Sequence, residues 1–181
     1  MSAADPAAQS AETLDRAGLG PRLPVDLLIL LLMAVAGLGI SIYLTTVHYA
    51  NVPLVCSATG IVDCQQVTKS AYSMVGNTGI PITIPGMAWF VVSGALAGGA
   101  WYCRARGPAL LPRLAVAHVV WGALGLAFVL YLVYAELVLL HKICEWCTVV
   151  HVLTLLTFLV ALYRLPGVWW ATSEDDTTTQ G

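Results

Sequence analysis

The chain has 181 residues, of which 59% are hydrophobic and only 10% charged, with a mean hydropathy of +0.81. A soluble domain carries about 25% charged residues, so this chain could not cover a water-facing surface. With 8 basic against 10 acidic residues it also lacks the electrostatic footprint of a nucleic-acid binder.

Residues 1–24 are polar or small and are interrupted by Pro6, Gly18, Gly20, Pro21 and Pro24, which predicts a disordered tail. Residues 25–47 hold a single charge, Asp26, at their start. They are long enough to cross about 30 Å of hydrocarbon at about 1.5 Å per residue. They exceed the apolar core of a secretory signal, so they read as a retained first span. Residues 48–84 form a turn-rich loop with Cys56 and Cys64. Residues 85–103 make a second span, in which Gly86, Ser93, Gly94, Ala97 and Gly98 permit close helix packing. A short basic turn, 104–113, leads to a third span at 114–140. The connection HKICEWC, 141–147, is tight, and a fourth span at 146–165 ends at Arg164 and Pro166. Residues 166–181 form a polar tail. The expected fold is all-α: a polytopic bundle of four transmembrane helices forming one domain over 25–165.

Basic residues orient the bundle. Arg16, Arg22, Arg104, Arg106, Arg113 and Arg164 all fall on one side of a four-span chain, leaving Lys69 and Lys142 on the other. The arginine side is expected to be cytoplasmic, with both tails there. The loop 48–84 and the connection 141–147 then face out.

Four of the five cysteines land on that outer side, where disulfides persist. Cys144 and Cys147 are a C-x-x-C pair at the mouth of the fourth helix. A disulfide between them would constrain almost no chain, which suits redox exchange better than bracing. A helix starting near Cys144 would stabilise a thiolate there through its free N–H groups. Glu145, inside the motif, is expected to oppose this by its charge. Cys56 and Cys64 enclose seven residues, either as a loop staple or as a second redox pair able to exchange with the first. Asp63 can cap a short surface helix over 64–75, with Gln66 closing a capping box. Cys103, alone at the inner end of the second span, is expected to be a free thiol.

In this order and on this topology, the chain resembles the bacterial members of the vitamin K epoxide reductase family. The resemblance rests on Cys56, on Asp63-Cys64 with Ser70 six residues later in DCQQVTKSAY, on Gly79-Ile80-Pro81 followed by Gly86, and on C-x-x-C at 144–147. It covers about 25–165. It implies a four-helix bundle around a quinone site that oxidises a thioredoxin-like partner of DsbA type. That partner would be a separate protein on the outer side, since no thioredoxin-like domain follows the bundle in this sequence. On the family pattern Cys56 meets the partner's thiol, Cys64 exchanges with Cys144, Cys147 sits beside the quinone and Ser70 hydrogen-bonds in the catalytic region. The implied setting is the bacterial cytoplasmic membrane, with menaquinone or ubiquinone as electron acceptor and neither flavin nor metal required. His151 replaces the Tyr of animal members, one helical turn from Cys147.

His151, Asn77, Tyr72 and Trp146 are candidate quinone contacts, His151 competing with a simpler role as a buried histidine. Glu136, near the outer end of the third span, is expected to snorkel to the interface or to pair with Lys142 or His141, in preference to a proton-relay role. His118 is expected at headgroup level. The tryptophans are expected to form an interfacial belt. A Cys/His metal-handling membrane protein is the competing reading, since thiolates and imidazoles suit zinc or copper(I). The disulfide-formation protein B type also has four spans and two cysteine pairs. It carries C-x-x-C in the first outer loop, and the order here is the reverse.

Overall fold

The computed structural model describes residues 25–57, 60–76, 78–106 and 108–178, with side chains undescribed at 105, 108 and 168–178. The tail expected over 1–24 and the candidate Asn77 lie outside the described residues. Four helices are long and apolar enough to cross a membrane. The first, α1, is Val25–Ala50. The short α2, Cys64–Thr68, lies in the following loop. The second long helix, α3, is Thr83–Arg106. The third, α4, runs Leu111–Tyr134 and continues as a π-helix over Ala135–Leu140. The last, α5, is Glu145–Thr178. Among the described residues there is no strand, only two isolated bridges.

Each long helix outruns its apolar core by a few residues at one or both ends. The largest departure is at the C-terminus. The segment 166–181, expected as a polar tail, is helical through Thr178, with Pro166 inside the helix. A lone proline removes one donor and crowds one carbonyl, which kinks a long helix more readily than it ends one. The surface helix expected over 64–75 is split into α2 and a 3₁₀ turn at Ala71–Ser73. Hydroxyls cause the break. Thr68 Oγ1 donates to Cys64 O, Ser70 Oγ to Val67 O, and Ser73 Oγ to Thr68 O and Ser70 O. These local bonds compete with the helical ladder, and Ser70 adopts an extended ψ of 161°.

The bundle packs through small residues, though only partly those anticipated. Ser93 and Ala97 are buried, as a close-packing stripe requires. Gly98 instead faces open space. The closest approaches are at Gly37 and Gly125, where an added Cβ would overlap the rings of Phe90 and Trp89. At one end of the bundle the Arg164 guanidinium is buried in an ion pair with Asp26, tying the end of the α5 span to the start of α1. His118, expected as a headgroup contact, is also buried within the bundle, at 2% exposure. The two cysteine pairs occupy the opposite end, where α1 ends, α3 begins and the π-helix meets α5.

Candidate functional site

The outer loop is stitched onto the connection before α5 by backbone and side-chain bonds. Val62 and Ile143 form a parallel bridge. Ile143 N–H donates to Ile61 O (3.0 Å), and Asp63 N–H donates to Ile143 O (3.1 Å). Lys142 Nζ donates to Gly60 O (2.8 Å), Trp146 Nε1 to Val55 O (2.9 Å), and Ser57 N–H to Glu145 Oε2 (3.3 Å). Asp63 Oδ1 accepts from Gln66 N–H (2.9 Å) and caps α2, the first half of the expected capping box.

The bridge sets the register of the cysteines. One residue beyond Ile143 comes Cys144, and two beyond Val62 comes Cys64. With Val67 they form one buried cluster, Cys64 being 1% and Cys144 0% exposed. Cys56 is disulfide-bonded to Cys64, with Cα atoms 6.2 Å apart, and is half-buried. Cys144 and Cys147 are free thiols, Cys147 half-buried. Cys103 is likewise free. The structure therefore brings an oxidised pair and a reduced pair into contact.

Cys144 immediately precedes α5, and its Sγ accepts a hydrogen bond from Cys147 N–H (3.3 Å). Its thiol is held below the usual cysteine range, first by hydrogen bonding from the Cys147 side chain and then by backbone N–H groups. Burial and the charge of Glu136 oppose this shift. The Glu145 carboxylate, expected to oppose it as well, is turned to Ser57 N–H.

Cys147 and His151 stand together on a wall shared by two cavities. The larger, about 370 Å³, opens between the four long helices and is almost wholly apolar, with Trp89, Phe90, Trp121 and Phe128 among its lining. Such a chamber fits a flat, apolar ring bearing a few polar atoms, which is the shape of a quinone. The smaller, about 60 Å³, lies toward the outer loop and carries hydroxyls from Thr68, Ser70, Tyr72, Ser73 and Thr83. Tyr72 and Ser70 thus line the small chamber and not the large one, with Ser70 Oγ donating to its own backbone turn.

Trp146 lines neither cavity. Its indole packs at 5.2 Å from Tyr43 and fastens the loop through Val55. Trp89 and Trp121, expected in an interfacial belt, are walls of the large cavity. Trp89 Nε1 donates to Trp121 O and Trp121 Nε1 to Trp89 O, each at 3.2 Å. Their spacing near span ends carried no signal for that reciprocal pairing.

Glu136 also departs from expectation. It neither snorkels nor pairs with Lys142 or His141. It is 6% exposed and lines the small cavity, with its carboxyl toward the Cys144 backbone amide and the Cys147 thiol. An ionisable group on a span that is not pinned at its end was the available signal. Among the described residues no three His, Cys, Asp or Glu side chains converge as a metal site.

No curated protein matches the chain. The sequence does match the model of the Vitamin K epoxide reductase family over residues 28–162, which takes in all five cysteines, both cavities and the greater part of each of the four spans. The chain belongs to the vitamin K epoxide reductase family, membrane thiol–disulfide oxidoreductases that work with quinone.

Proposed function

We propose that this protein oxidises a separate thioredoxin-like protein of DsbA type on the outer face of the bacterial cytoplasmic membrane and passes the electrons to the quinone pool. The observation that carries this reading is the contact between the Cys56–Cys64 disulfide and buried Cys144, with Cys147 opening onto the large apolar cavity. In the first exchange the partner's thiolate attacks Cys56 and releases Cys64. The partner's second thiol then frees Cys56 and leaves the partner oxidised. The Cys64 thiolate attacks the Cys144–Cys147 disulfide at Cys144, and Cys147 leaves. Closure of Cys56 on Cys64 returns the loop disulfide and the Cys144/Cys147 dithiol, which is the state in the structure. Bound quinone supplies a two-electron, two-proton acceptor. The chain's own contribution is to hold Cys147 and His151 at the chamber wall and to exclude water with aromatic side chains. Ser70 and Tyr72 would act from the small cavity, on the protein side of Cys147.

The arginines gathered at the opposite end support an inward orientation of that end, with both termini cytoplasmic. The test is quinone-dependent oxidation of a reduced thioredoxin-like protein by the purified chain. Cys147→Ala should abolish quinol formation and accumulate a Cys64–Cys144 disulfide. Undiminished quinol formation in that variant would sink the proposal.

A further inference from the structure

We propose that Glu136 is the catalytic base that receives the Cys147 proton when the Cys144/Cys147 dithiol is oxidised. The inference rests on the quinone-reducing reading above and assigns one proton transfer within it.

The first argument is placement. Glu136 belongs to the π-helix at Ala135–Leu140, a wide turn of a kind that recurs at functional sites. The segment ends at His141, whose left-handed φ of 53° reverses the chain toward Cys144. Both the His141 and Lys142 N–H groups donate to the Glu136 carbonyl. The backbone on either side of the carboxyl is thereby fixed, and the side chain is directed at the Cys144 amide and the Cys147 thiol.

The second argument is cost. A carboxyl buried in a span is expensive to keep unless something pairs with it or uses it. Among the described residues no cation pairs with Glu136, since Lys142, near it in sequence, donates its ammonium to Gly60 O. The groups facing it around the small cavity are His48 from α1, Tyr72 from the loop, and Cys147 and His151 from α5, with Cys144 beside them. None is a standing positive charge like that of Lys or Arg.

The chemistry then balances. Oxidation of the dithiol removes two protons and two electrons from sulfur and makes one S–S bond. Both electrons and two protons end on the quinone as two O–H bonds. Cys144 reacts as a thiolate, its proton having gone to solvent, so one of the two acceptor protons is drawn back from solvent. The Glu136 carboxylate takes the Cys147 proton as that sulfur gives up its electrons. It then releases that proton to the reduced acceptor as the second, and is unchanged over the cycle.

The experiment uses the full chain, purified, reduced and freed of quinone. Single-hit labelling with N-ethylmaleimide is resolved residue by residue across a pH series in wild type, Glu136→Gln and Glu136→Asp. Glutamine keeps the shape and can still accept from the Cys144 amide, but it takes no proton, so a merely structural role survives this change. Glu136→Gln should slow Cys147 labelling on the order of 10²-fold at neutral pH. Cys103 labelling should be unaltered, and the deficit should close as hydroxide replaces the base. Glu136→Asp should fall between, and it carries the test if the glutamine variant fails to form the Cys56–Cys64 disulfide. Quinol formation should drop in parallel once quinone is returned. Equal or faster Cys147 labelling in a folded Glu136→Gln variant overturns the assignment, since loss of the carboxylate charge by itself favours a neighbouring thiolate. A wild-type protein that forms no quinol overturns the reading of the site instead, whatever the labelling shows.

Discussion

At the scale of single residues, the structure separates what a side chain is from what it does. Cys144 ends its backbone run just where α5 begins, and the hydrogen bonds it accepts hold its thiol below the usual range. A depressed thiol stays ionised as pH falls through the ordinary cysteine range and is lost only on further acidification. Alkylation of Cys144, followed by mass spectrometry, should therefore persist to more acid pH than that of an ordinary cysteine thiol. Cys147→Ala removes the largest cause and should move the profile back up. The glycines divide in the same way. Gly125→Ala forces its Cβ into the Trp89 indole, which is pinned by its bond to Trp121 O, and should cost about 1–3 kcal/mol by thermal melting in detergent. Gly98→Ala meets nothing within 4 Å and should be neutral or stabilising by about 0.5–1 kcal/mol. Sequence spacing marked Gly98 and passed over Gly125, because a small residue reports permission to pack and not the ring that comes to occupy the space.

At the scale of elements, the four spans were legible because lipid imposes length and apolarity on each of them. The loop between the first two was legible only in its chemistry. Asp63 was recognisable as a cap, and the hydroxyls that truncate α2 were visible, but their competition with the helical ladder depends on geometry that spacing does not carry. The parallel bridge of Val62 with Ile143 joins segments 81 residues apart, 143 minus 62, so no local pattern announces it. The π-helix was hidden for the same reason, since α and π turns share the same apolar composition. Asp63→Ala removes the cap of the element that presents Cys64 and should cost about 1 kcal/mol. It should also slow formation of the trapped Cys64–Cys144 disulfide in a Cys147→Ala background, measured by non-reducing gel shift. An unchanged rate would mean that the bridge alone positions Cys64.

At the scale of the whole molecule, the described arginines and the two cysteine pairs sit at opposite ends of one bundle. The buried Asp26–Arg164 pair closes the end remote from the cysteine pairs. Asp26→Ala leaves the guanidinium unpaired and should destabilise the protein by about 3 kcal/mol, at the low end for a buried pair because Asp26 is partly exposed. The folded fraction should still form the Cys64–Cys144 intermediate at the opposite end, which denaturant titration and gel shift together would show. Membrane class, span order and the two cysteine pairs followed from the amino acids because each is a one-dimensional property. Glu136 and the facing tryptophans did not, because a role shared between distant helices exists only once they are assembled. The graded exposure of the sulfurs has one more consequence. Cys56 is half-buried, while Cys64 and Cys144 are sealed. On the proposed route, a thiol arriving at the loop meets Cys56 first, whether it belongs to a protein or to a small metabolite. Cys144 is thereby shielded from bulk thiols, which would let the C-x-x-C pair follow the potential of the lipid phase without being short-circuited by the aqueous one.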